Sequence, residues 1–549
     1  MLVARLPVCL LSPIIVRFGG ATMPQILDPP GVLLPHVWAN HARHFPGREA
    51  VVCGDLRWTW RDFNDAMNRV ANGLNALGVA EGDKVAVLMT NAAETTAVMF
   101  GAIKAGACVV PVSAMLSPGQ VGTLMQDSGA QVLFADAQTR ALAEAARPGM
   151  EGVRLNGFFA HGFEAAGWRG LADWMAAQDT AEPEVDYLPD EIVNILYSSG
   201  TTGLPKGILM SHAARLHFAW SNAIEMRFSR RSRALATTPL YSNGTWLMAL
   251  PVLFVGGTLN ILPSFSPEAF LETAARERIT HTFMVPTQYI VTLESPALDG
   301  ADLASLEVML SAGSPLRVET KKAVIARMAP CIHELYGYSE GAATMIKPED
   351  AEAKWGSVGT PVIGFDLTVI DDDGNELPFG ETGEIVARGG GVMSGYHRRP
   401  DATRELVWRD PAGRTWVRSG DIGRFDDDGF LHILDRKKDM IISGGFNVFP
   451  ADIEQVVAGH PDVSDVTVIG VPDAKWGETP LALVIPKPGA APDAEAVRSW
   501  ANERLARPQR IAAVEFRAEF PRNALGKVLK RMLREPYWPD TAFSDEPVT

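Results

Sequence analysis

A loop rich in hydroxyl groups and glycines directly follows an apolar run of the chain. The run, Ile192 to Leu196, has the character of a buried strand, and the loop YSSGTTGLPKG extends from Tyr197 to Gly207. Glycines let backbone amides approach an anion closely, hydroxyls supply further donors, and lysine adds a mobile positive charge. Strand and loop together predict a phosphate-binding site, with the candidate residues Ser198, Ser199, Gly200, Thr201, Thr202, Gly203 and Lys206.

This loop differs from the Walker phosphate loop. A Walker loop needs Ser or Thr after its lysine so that the hydroxyl can hold magnesium, whereas here Gly207 follows Lys206. A flexible surface linker is the alternative interpretation, but linkers are seldom this rich in threonine directly after a buried strand. The sequence therefore favours a phosphate-binding loop of another kind.

Strand and helix patterns alternate from Trp60 onward. Helical spacing gives way to strand-like runs that include KVAVLMT, CVVPVS, AQVLFAD, GTLNILP and HTFMVPT. After Gly359 the pattern changes to short alternating runs with Asp and Gly turns, which are typical of antiparallel sheet. We therefore predict an α/β fold: a large N-terminal domain of mixed parallel sheets with helices plus a β subdomain from about residue 360, and a small, mobile α+β C-terminal domain.

The length of the chain, 549 residues, is too great for one ordinary core. The polar run DRKKD separates the β subdomain from a last stretch with its own strands and helices. We predict a large domain over residues 23–437 and a small domain over residues 438–549, with the boundary at Lys438. Residues 1–22 are apolar but interrupted by arginines and prolines, so we expect a tail outside the fold.

Composition and charge exclude several classes of protein. A formal net charge of -15 without a long basic stretch argues against a nucleic-acid partner. No apolar run free of charges and helix breakers is long enough for a bilayer crossing, so stable membrane insertion is not expected. The four cysteines are scattered singly. That spacing favours reduced thiols in a cytoplasmic enzyme over disulfides or a cysteine-ligated metal.

Six motifs together resemble the adenylate-forming (ANL) superfamily, and within it the acyl-CoA synthetase family. Besides the loop described above, the chain carries in the family's order YGYSE from Tyr336, RSGDIG from Arg418, DRKKD from Asp435, SGGFNVFP from Ser443 and PRNALGK from Pro521. The resemblance covers nearly the whole chain. It implies an AMP-forming acid–thiol ligase: ATP and a carboxylic acid give acyl-AMP and pyrophosphate, and CoA then gives acyl-CoA and AMP.

The resemblance implies which residues bind ATP and act on it. Lys527 would bridge the substrate carboxylate and the α-phosphate as the leading catalytic residue, and Glu340 would ligate Mg²⁺. Asp421 would accept hydrogen bonds from both ribose hydroxyls, and Arg436 would reach the ribose and phosphates. Further residues implied for this site are Lys206, which also acts in catalysis, Ala312, Gly313, Ser314, Tyr336, Gly337 and Ser339.

The side chains of Tyr336 and Ser339 are suited to specific contacts with ATP. The ring of Tyr336 offers a flat face on which adenine could stack. Ser339 stands where the family usually has threonine, and it retains the hydroxyl that can meet the α-phosphate. We therefore expect function to survive this departure.

The resemblance also implies how CoA takes part. Lys438 occupies the hinge position about which the family's small domain rotates between the two half-reactions. Gly444 matches a glycine whose missing side chain leaves room for the pantetheine arm. Because the thiol of CoA attacks the adenylate, none of the four cysteines needs a catalytic role. The sequence leaves the oligomeric state open, with a homodimer as one candidate.

The segment TPLYSNGTW, Thr238 to Trp246, resembles the wall of the family's acyl pocket. Many relatives carry histidine where this chain has serine, which makes the wall smaller and weakly polar here. The predicted substrate-pocket residues are Tyr241, Ser242, Trp246, Gly313 and Tyr338.

The residues of this wall also restrict the acid. Between Pro239 and Leu250 there is no aspartate to hold an α-amino group and no basic residue to pair a second carboxylate. We therefore predict an apolar monocarboxylate, with fatty acids and aryl-alkanoic or aromatic acids both open.

Other activities remain as alternatives. An adenylate-forming enzyme could pass the acyl group to a carrier protein, which dependence on free CoA would distinguish. Light emission with luciferin would identify a luciferase-like oxidation. An inactive nucleotide-binding or lipid-binding module is the alternative from another class, and the intact Lys527, Glu340 and Asp421 argue against it.

Overall fold

The computed structural model describes residues 16–18, 21–23, 31–154, 157–198, 206–350, 352–443, 446–473, 475–522 and 526–538. The α-helices in these ranges are Leu34–His44, Trp60–Ala76, Ala93–Lys104, Pro118–Ser128, Arg140–Ala146, Leu171–Ala176, His212–Glu225, Trp246–Val255, Pro267–Arg276, Pro286–Glu294, Val318–Arg327, Pro400–Glu405, Pro450–Ala458, Ala494–Asn502 and Lys530–Arg534.

Two large sheets, mostly parallel, form the centre of the molecule. The first has eight described strands in the spatial order Gly395–Tyr396, Lys206–Ser211, Ile192–Ser198, Cys108–Pro111, Lys84–Leu88, Ala130–Asp136, Phe158–His161 and Arg169–Gly170. The second has nine described strands in the order Thr360–Pro361, Ala342–Ile346, Ile332–Tyr338, Val308–Ala312, His281–Met284, Arg233–Ala236, Thr258–Ile261, Glu49–Cys53 and Leu56–Thr59.

One apolar core joins these two sheets. Val85 and Val109 of the first sheet are fully buried in the same cluster as Ala234 and Leu310 of the second, together with the helices between them. Strands covered on both faces need continuous apolar runs, which is why KVAVL and CVVP carry few polar residues. The predicted α/β fold is confirmed.

Each large sheet includes a strand from a distant part of the chain. Glu49–Cys53 pairs in parallel with Thr258–Ile261 in the second sheet, although seven of the eight described strands of the first sheet lie between them in sequence. Gly395–Tyr396 returns to pair with Lys206–Ser211 at the edge of the first sheet. The two sheets are therefore interlocked by the path of the chain.

Local sequence signals set several helix ends. Thr59 caps the helix Trp60–Ala76 by accepting a hydrogen bond from the amide of Asp62 at 3.2 Å, and the Asp62 carboxylate accepts from the Thr59 amide at 2.9 Å. The helix Pro118–Ser128 ends at Gly129, whose φ of 68° is a left-handed conformation that favours glycine.

Two smaller sheets follow. The first lies within the predicted β subdomain and contains Phe365–Ile370, Gly383–Gly389, Thr415–Phe425, Val407–Arg409 and Leu431–Arg436, all antiparallel. The second contains Phe446–Val448, Ile441–Ser443, Gly477–Pro486, Val463–Asp473 and Ala513–Phe516.

The C-terminal stretch has a core of its own, which includes Ile441, Ile453, Val484 and Val497. The domain boundary at Lys438 stays a prediction. Near the N-terminus, the described strands Val16–Phe18 and Ala21–Met23 pair with each other. Among the described residues, no helix is both long and apolar enough to cross a lipid bilayer.

Candidate active site

The ends of two parallel strands bring two predicted segments of the nucleotide site together. Val308–Ala312 pairs with Ile332–Tyr338, and Ala312 lies opposite Leu335, so the turn after Ala312 is beside Tyr336. Gly313 has a φ of 92°, a left-handed conformation that lets the chain turn sharply here. Ligands of open α/β sheets bind at such carboxyl ends.

A buried carboxylate joins this edge to the β subdomain. Asp421 is 4% exposed, its Oδ2 accepts a hydrogen bond from the Tyr336 hydroxyl at 2.6 Å, and its Oδ1 lies 3.3 Å from Nε of Arg436. Arg436 stands opposite Asp421 in the ladder of Thr415–Phe425 and Leu431–Arg436. Burial, and next the Asp421 carboxylate, raise the pKa of Tyr336 well above its usual value. The three predicted residues therefore form one cluster.

Lys527 comes to this cluster from near the C-terminus. Its pKa is lowered to about 8, chiefly by burial and next by the positive charge of Arg436, against the opposing effect of Asp421. The neighbouring Gly526 lies against the large domain, because a methyl group on it would be 3.4 Å from Oγ1 of Thr287. Lys527 thus lies in the same cluster as Tyr336, Asp421 and Arg436.

An ion pair supports this docking of the C-terminal region. Nη2 of Arg317, just before the helix Val318–Arg327, lies 3.6 Å from Oδ1 of Asp465 on the strand Val463–Asp473. Arg522 also pairs with Asp465.

Glu340 is held beside Lys206 by a residue that the motifs do not contain. The Tyr396 hydroxyl donates a hydrogen bond to Oε1 of Glu340 at 2.6 Å, and the Nζ of Lys206 lies 5.3 Å from the centre of the Tyr396 ring. The strand Gly395–Tyr396 pairs with Lys206–Ser211, which fixes this arrangement. Sequence reasoning missed Tyr396.

The donor set of Glu340 fits a hard cation such as Mg²⁺. Among the described residues, no group of three or more His, Cys, Asp or Glu side chains could enclose a metal ion. Mg²⁺ is commonly held by one or two carboxylates, with waters and substrate phosphates completing the octahedron. Glu340 and Lys206 of the predicted phosphate loop both contact Tyr396, and a carboxylate in this position would match that mode.

The phosphate loop connects two paired strands. Ser198 pairs with Lys206 at the ends of Ile192–Ser198 and Lys206–Ser211. At its base, the Tyr197 hydroxyl donates to Oδ2 of Asp127 at 2.7 Å. Five predicted loop residues and the predicted pantetheine glycine lie outside the described residues: Ser199, Gly200, Thr201, Thr202, Gly203 and Gly444.

One aromatic residue of the predicted acyl wall is buried in the core. Trp246 is 1% exposed, and its indole Nε1 donates to the Leu240 carbonyl at 2.9 Å. Its ring packs 5.8 Å from Phe100 in the core. Trp246 therefore lies in the core and offers the acyl group no exposed ring surface.

Three of the other predicted pocket residues are partly or wholly enclosed, whereas Gly313 is exposed. The Ser242 hydroxyl is buried and has no hydrogen-bond partner among the described residues. Burial raises the pKa of Tyr241, against a hydrogen bond with Ser113. The Tyr338 hydroxyl donates to the carbonyl of Val417 at 3.2 Å.

An arginine lies behind this wall that sequence reasoning also missed. Arg215, on the helix His212–Glu225, is 1% exposed and contacts Asn243 of the wall and the ring of Trp246. A signal for it exists in the sequence, because Arg215 shares with Ala219 and Asn222 the spacing of a buried helix stripe. A charged residue at a position of such a stripe is unusual, because it places a charge in the interior of the protein.

The predicted hinge lies at the surface. The exposed Lys438 contributes its carbonyl to a hydrogen bond from Nη1 of Arg534 at 3.1 Å. Just before it, Oδ2 of Asp435 accepts from the amide of Ala451 at 3.0 Å. Burial raises the pKa of Asp435 to about 6. Rotation at Lys438 stays a prediction.

Two family models match most of the chain. The family model described as AMP-binding enzyme matches residues 38–397, and the model described as AMP-binding enzyme C-terminal domain matches residues 452–527. The chain belongs to the AMP-binding enzyme family. It is an AMP-forming acid–thiol ligase of the acyl-CoA synthetase type, and ATP, Mg²⁺ and CoA are its cosubstrates and metal.

Relatives within this family share most of the chain. A feruloyl-CoA synthase from Amycolatopsis sp is 34% identical over 501 residues, covering 91% of this chain and 98% of the relative. The long-chain-fatty-acid–CoA ligase FadD13 from Mycobacterium tuberculosis is 35% identical, covering 88% and 94%. The crystal structure of ATP-bound MatB from Rhodopseudomonas palustris has a TM-score of 0.84 at 28% identity, covering 92% and 99%.

Proposed function

We propose that this ligase activates an apolar monocarboxylic acid, aryl or fatty, and transfers the acyl group to CoA through the cluster described above. The observation that supports this proposal is that Lys527, Asp421, Arg436 and Tyr336, which come from four separate motifs, lie together at one sheet edge. The relatives named feruloyl-CoA synthase and long-chain-fatty-acid–CoA ligase support the two acid classes.

In the first half-reaction, a carboxylate oxygen attacks the α-phosphorus of ATP. A bond forms between these atoms, and the bond from the α-phosphorus to the oxygen of pyrophosphate breaks. Two anions must meet, so positioned cations carry the catalysis. We assign Lys527 to bridge the carboxylate and α-phosphate, and Lys206 to follow the departing pyrophosphate.

We assign Glu340 to hold Mg²⁺, which when bound neutralises phosphate charge as a Lewis acid. Tyr396 positions this carboxylate through its 2.6 Å hydrogen bond. Ser339 beside it would donate its hydroxyl to the α-phosphate.

Asp421 is assigned to the ribose of ATP. A carboxylate has about four lone-pair sites, so the bonds from Tyr336 and Arg436 leave acceptor capacity for ribose hydroxyls. Gly313 and Gly337, which have no side chains, would line the adenine together with Ala312, Ser314 and the ring of Tyr336.

In the second half-reaction, the CoA sulfur attacks the acyl carbonyl, the bond to the AMP oxygen breaks, and the thiol proton leaves to solvent. We propose that rotation at Lys438 replaces Lys527 with the region of Gly444 at the site. The apolar side chains of Ile442 and Phe446, 52% and 62% exposed beside Gly444, support a face that becomes covered in another arrangement. The domains proposed for this motion are residues 23–437 and 438–549.

We further propose that the enzyme works in the cytoplasm, which the free thiols of Cys53, Cys108 and Cys331 support. A homodimer is the proposed assembly, to be checked by light scattering.

The adenylation step is expected to lose activity as the pH rises through about 8. Lys527 must be protonated to bridge two anions, and its pKa is about 8. Because kcat/KM reports the free enzyme, kcat/KM for pyrophosphate release should fall about tenfold per pH unit above that value. The guanidinium of a Lys527→Arg variant stays charged. In this variant, the decline of kcat/KM relative to its value at pH 7 should therefore disappear. If the decline persists, a group other than Lys527 is responsible for the titration.

The proposed function is tested by pyrophosphate release from ATP and Mg²⁺ with fatty, aryl-alkanoic, aromatic and dicarboxylic acids, each with and without CoA. Mass analysis should find an apolar acyl-CoA and AMP. Acyl-AMP without thioester would favour transfer to a carrier protein. Turnover of only short polar or dicarboxylic acids would contradict the acid class, and no release with any acid would contradict the function.

A further inference from the structure

Asp127 is an acidic residue at the C-terminal end of a helix. It is the last residue but one of the helix Pro118–Ser128, where the partial negative charge of the helix carbonyls disfavours a carboxylate. Its side chain is only 15% exposed. A charged group that is both unfavourably placed and largely removed from water needs partners that offset these costs.

Side chains from two distant segments supply these partners. The Tyr197 hydroxyl donates a hydrogen bond to Oδ2 of Asp127 at 2.7 Å, and Nη2 of Arg399 donates to its Oδ1 at 2.8 Å. The backbone carbonyl of Asp127 also accepts a hydrogen bond from Nε2 of His397 at 3.0 Å. Hydrogen bonds with an ionised partner are roughly twice as strong as those between neutral groups. Asp127 therefore joins both segments firmly to its helix.

The backbone between His397 and Arg399 has an uncommon conformation. Arg398 has a φ of 53°, in the left-handed region that residues other than glycine rarely adopt. Such a conformation persists only where its surroundings hold it, and these conformations cluster at functional sites. The residues on both sides of Arg398 bind Asp127, so these contacts offset the cost of the strained backbone.

Both segments lead to the predicted phosphate site. Tyr197 is the first residue of the phosphate loop. In the other segment, the Arg399 amide donates to the carbonyl of Tyr396 at 3.2 Å, so the two residues belong to one turn. Tyr396 is the residue whose hydroxyl binds Glu340 at 2.6 Å. One carboxylate thus connects the base of the phosphate loop with the turn that holds Glu340.

We propose that Asp127 is a positioning residue for the phosphates of ATP and their Mg²⁺. Its carboxylate fixes the base of the phosphate loop through Tyr197. Through Arg399 it fixes the turn of Tyr396, and with it the direction of Glu340. This inference rests on the proposed function, because the roles of the loop and of Glu340 are proposed there.

The test measures nucleotide binding without any acid substrate. Isothermal titration would give the dissociation constants of ATP with Mg²⁺ and of AMP, which lacks the two phosphates that leave as pyrophosphate. An Asp127→Asn variant keeps the size of the side chain but loses the charge that pairs with Arg399. We expect it to bind ATP about 10-fold more weakly, as for the loss of a hydrogen bond to a charged group. Its affinity for AMP should change less than about twofold, because the residues assigned to adenine lie at the ends of Val308–Ala312 and Ile332–Tyr338 in the second sheet.

Two further variants separate positioning from folding. Tyr197→Phe removes one hydroxyl and leaves the pair of Asp127 and Arg399 intact. It should weaken ATP binding severalfold, which keeps the proposal testable if the asparagine variant does not fold. Asp55→Asn makes the same chemical change at an exposed position and should leave both dissociation constants unchanged. Equal melting temperatures of these proteins would show that the folds are comparable.

Two results would overturn the inference. The first is wild-type affinity for ATP in both Asp127→Asn and Tyr197→Phe. The second is an equal weakening of ATP and AMP binding, which would indicate that Asp127 supports the domain as a whole rather than the phosphates. The proposed function survives both results, because it is judged by the products that the wild-type enzyme forms from the panel of acids.

Discussion

Replacing Lys527 with alanine is expected to slow acyl-adenylate formation about 1,000-fold, because the preorganised cation that bridges two anions is removed. The lysine approaches the site with its charge coupled to Arg436 and Asp421, where a developing negative charge on phosphate would be stabilised. Thioester formation from supplied acyl-adenylate and CoA should be nearly unchanged, because in the proposed rotation Lys527 has left the site before that step. Rapid-quench measurement of both half-reactions gives the two rates.

The control for this experiment is Lys487→Ala, which removes an exposed lysine of the same C-terminal region. Both half-reactions should proceed at the wild-type rate in that variant. An equal loss of both steps in Lys527→Ala would contradict the role assigned to the lysine, because it would indicate damage to the domain rather than to one step.

Replacing Glu340 with glutamine is expected to slow adenylate formation about 100-fold and to raise the Mg²⁺ concentration that gives half-maximal rate. The amide preserves the shape of the side chain and can still accept the Tyr396 hydroxyl, but it lacks the charge that attracts a hard cation. The measurement is pyrophosphate release over a series of Mg²⁺ concentrations.

Two variants accompany this one. Glu405→Gln changes an exposed glutamate at the end of the helix Pro400–Glu405 and should have no effect on the rate. Tyr396→Phe removes the hydroxyl that positions the carboxylate and should cost only a severalfold loss. A Glu340→Gln enzyme with unchanged rate and Mg²⁺ dependence would exclude Glu340 as the metal ligand.

The strands of the fold could be predicted because their signal is local. Runs such as AQVLFAD carry enough β-branched and aromatic residues to predict a strand, and Ala130–Asp136 matches that run. The pairing of strands that are far apart in the sequence could not be predicted. It depends on pairing between Glu49–Cys53 and Thr258–Ile261, which no local pattern encodes.

In the candidate site, too, residues in local motifs could be predicted, whereas contacts between distant residues could not. Tyr336, Asp421 and Arg436 could be named because each stands in a motif, but the bond from Tyr336 to Asp421 spans 85 positions and follows only from the fold. Tyr396 stands in no motif, and its partner Glu340 is 56 positions away.

Arg215 shows a further reason why prediction was incomplete. The wall segment itself contains no basic residue, whereas the arginine that contacts this wall comes from the helix His212–Glu225. Side chains reach a pocket from several elements, so the absence of a residue type in one segment does not exclude it from the pocket.

The interlocked sheets restrict the order in which the newly made chain can fold. The hairpin Glu49–Thr59 leaves the ribosome first, yet its neighbouring strand Thr258–Ile261 is made only after the first sheet has been extended to Ser211. Until then the strand that contains the apolar residues Val51 and Val52 lacks its neighbour, and the unpaired edge of that strand can pair with other chains and aggregate. A chain cut between the two sheets would leave this hairpin unpaired, so the large domain completes its folding late in synthesis and as one unit.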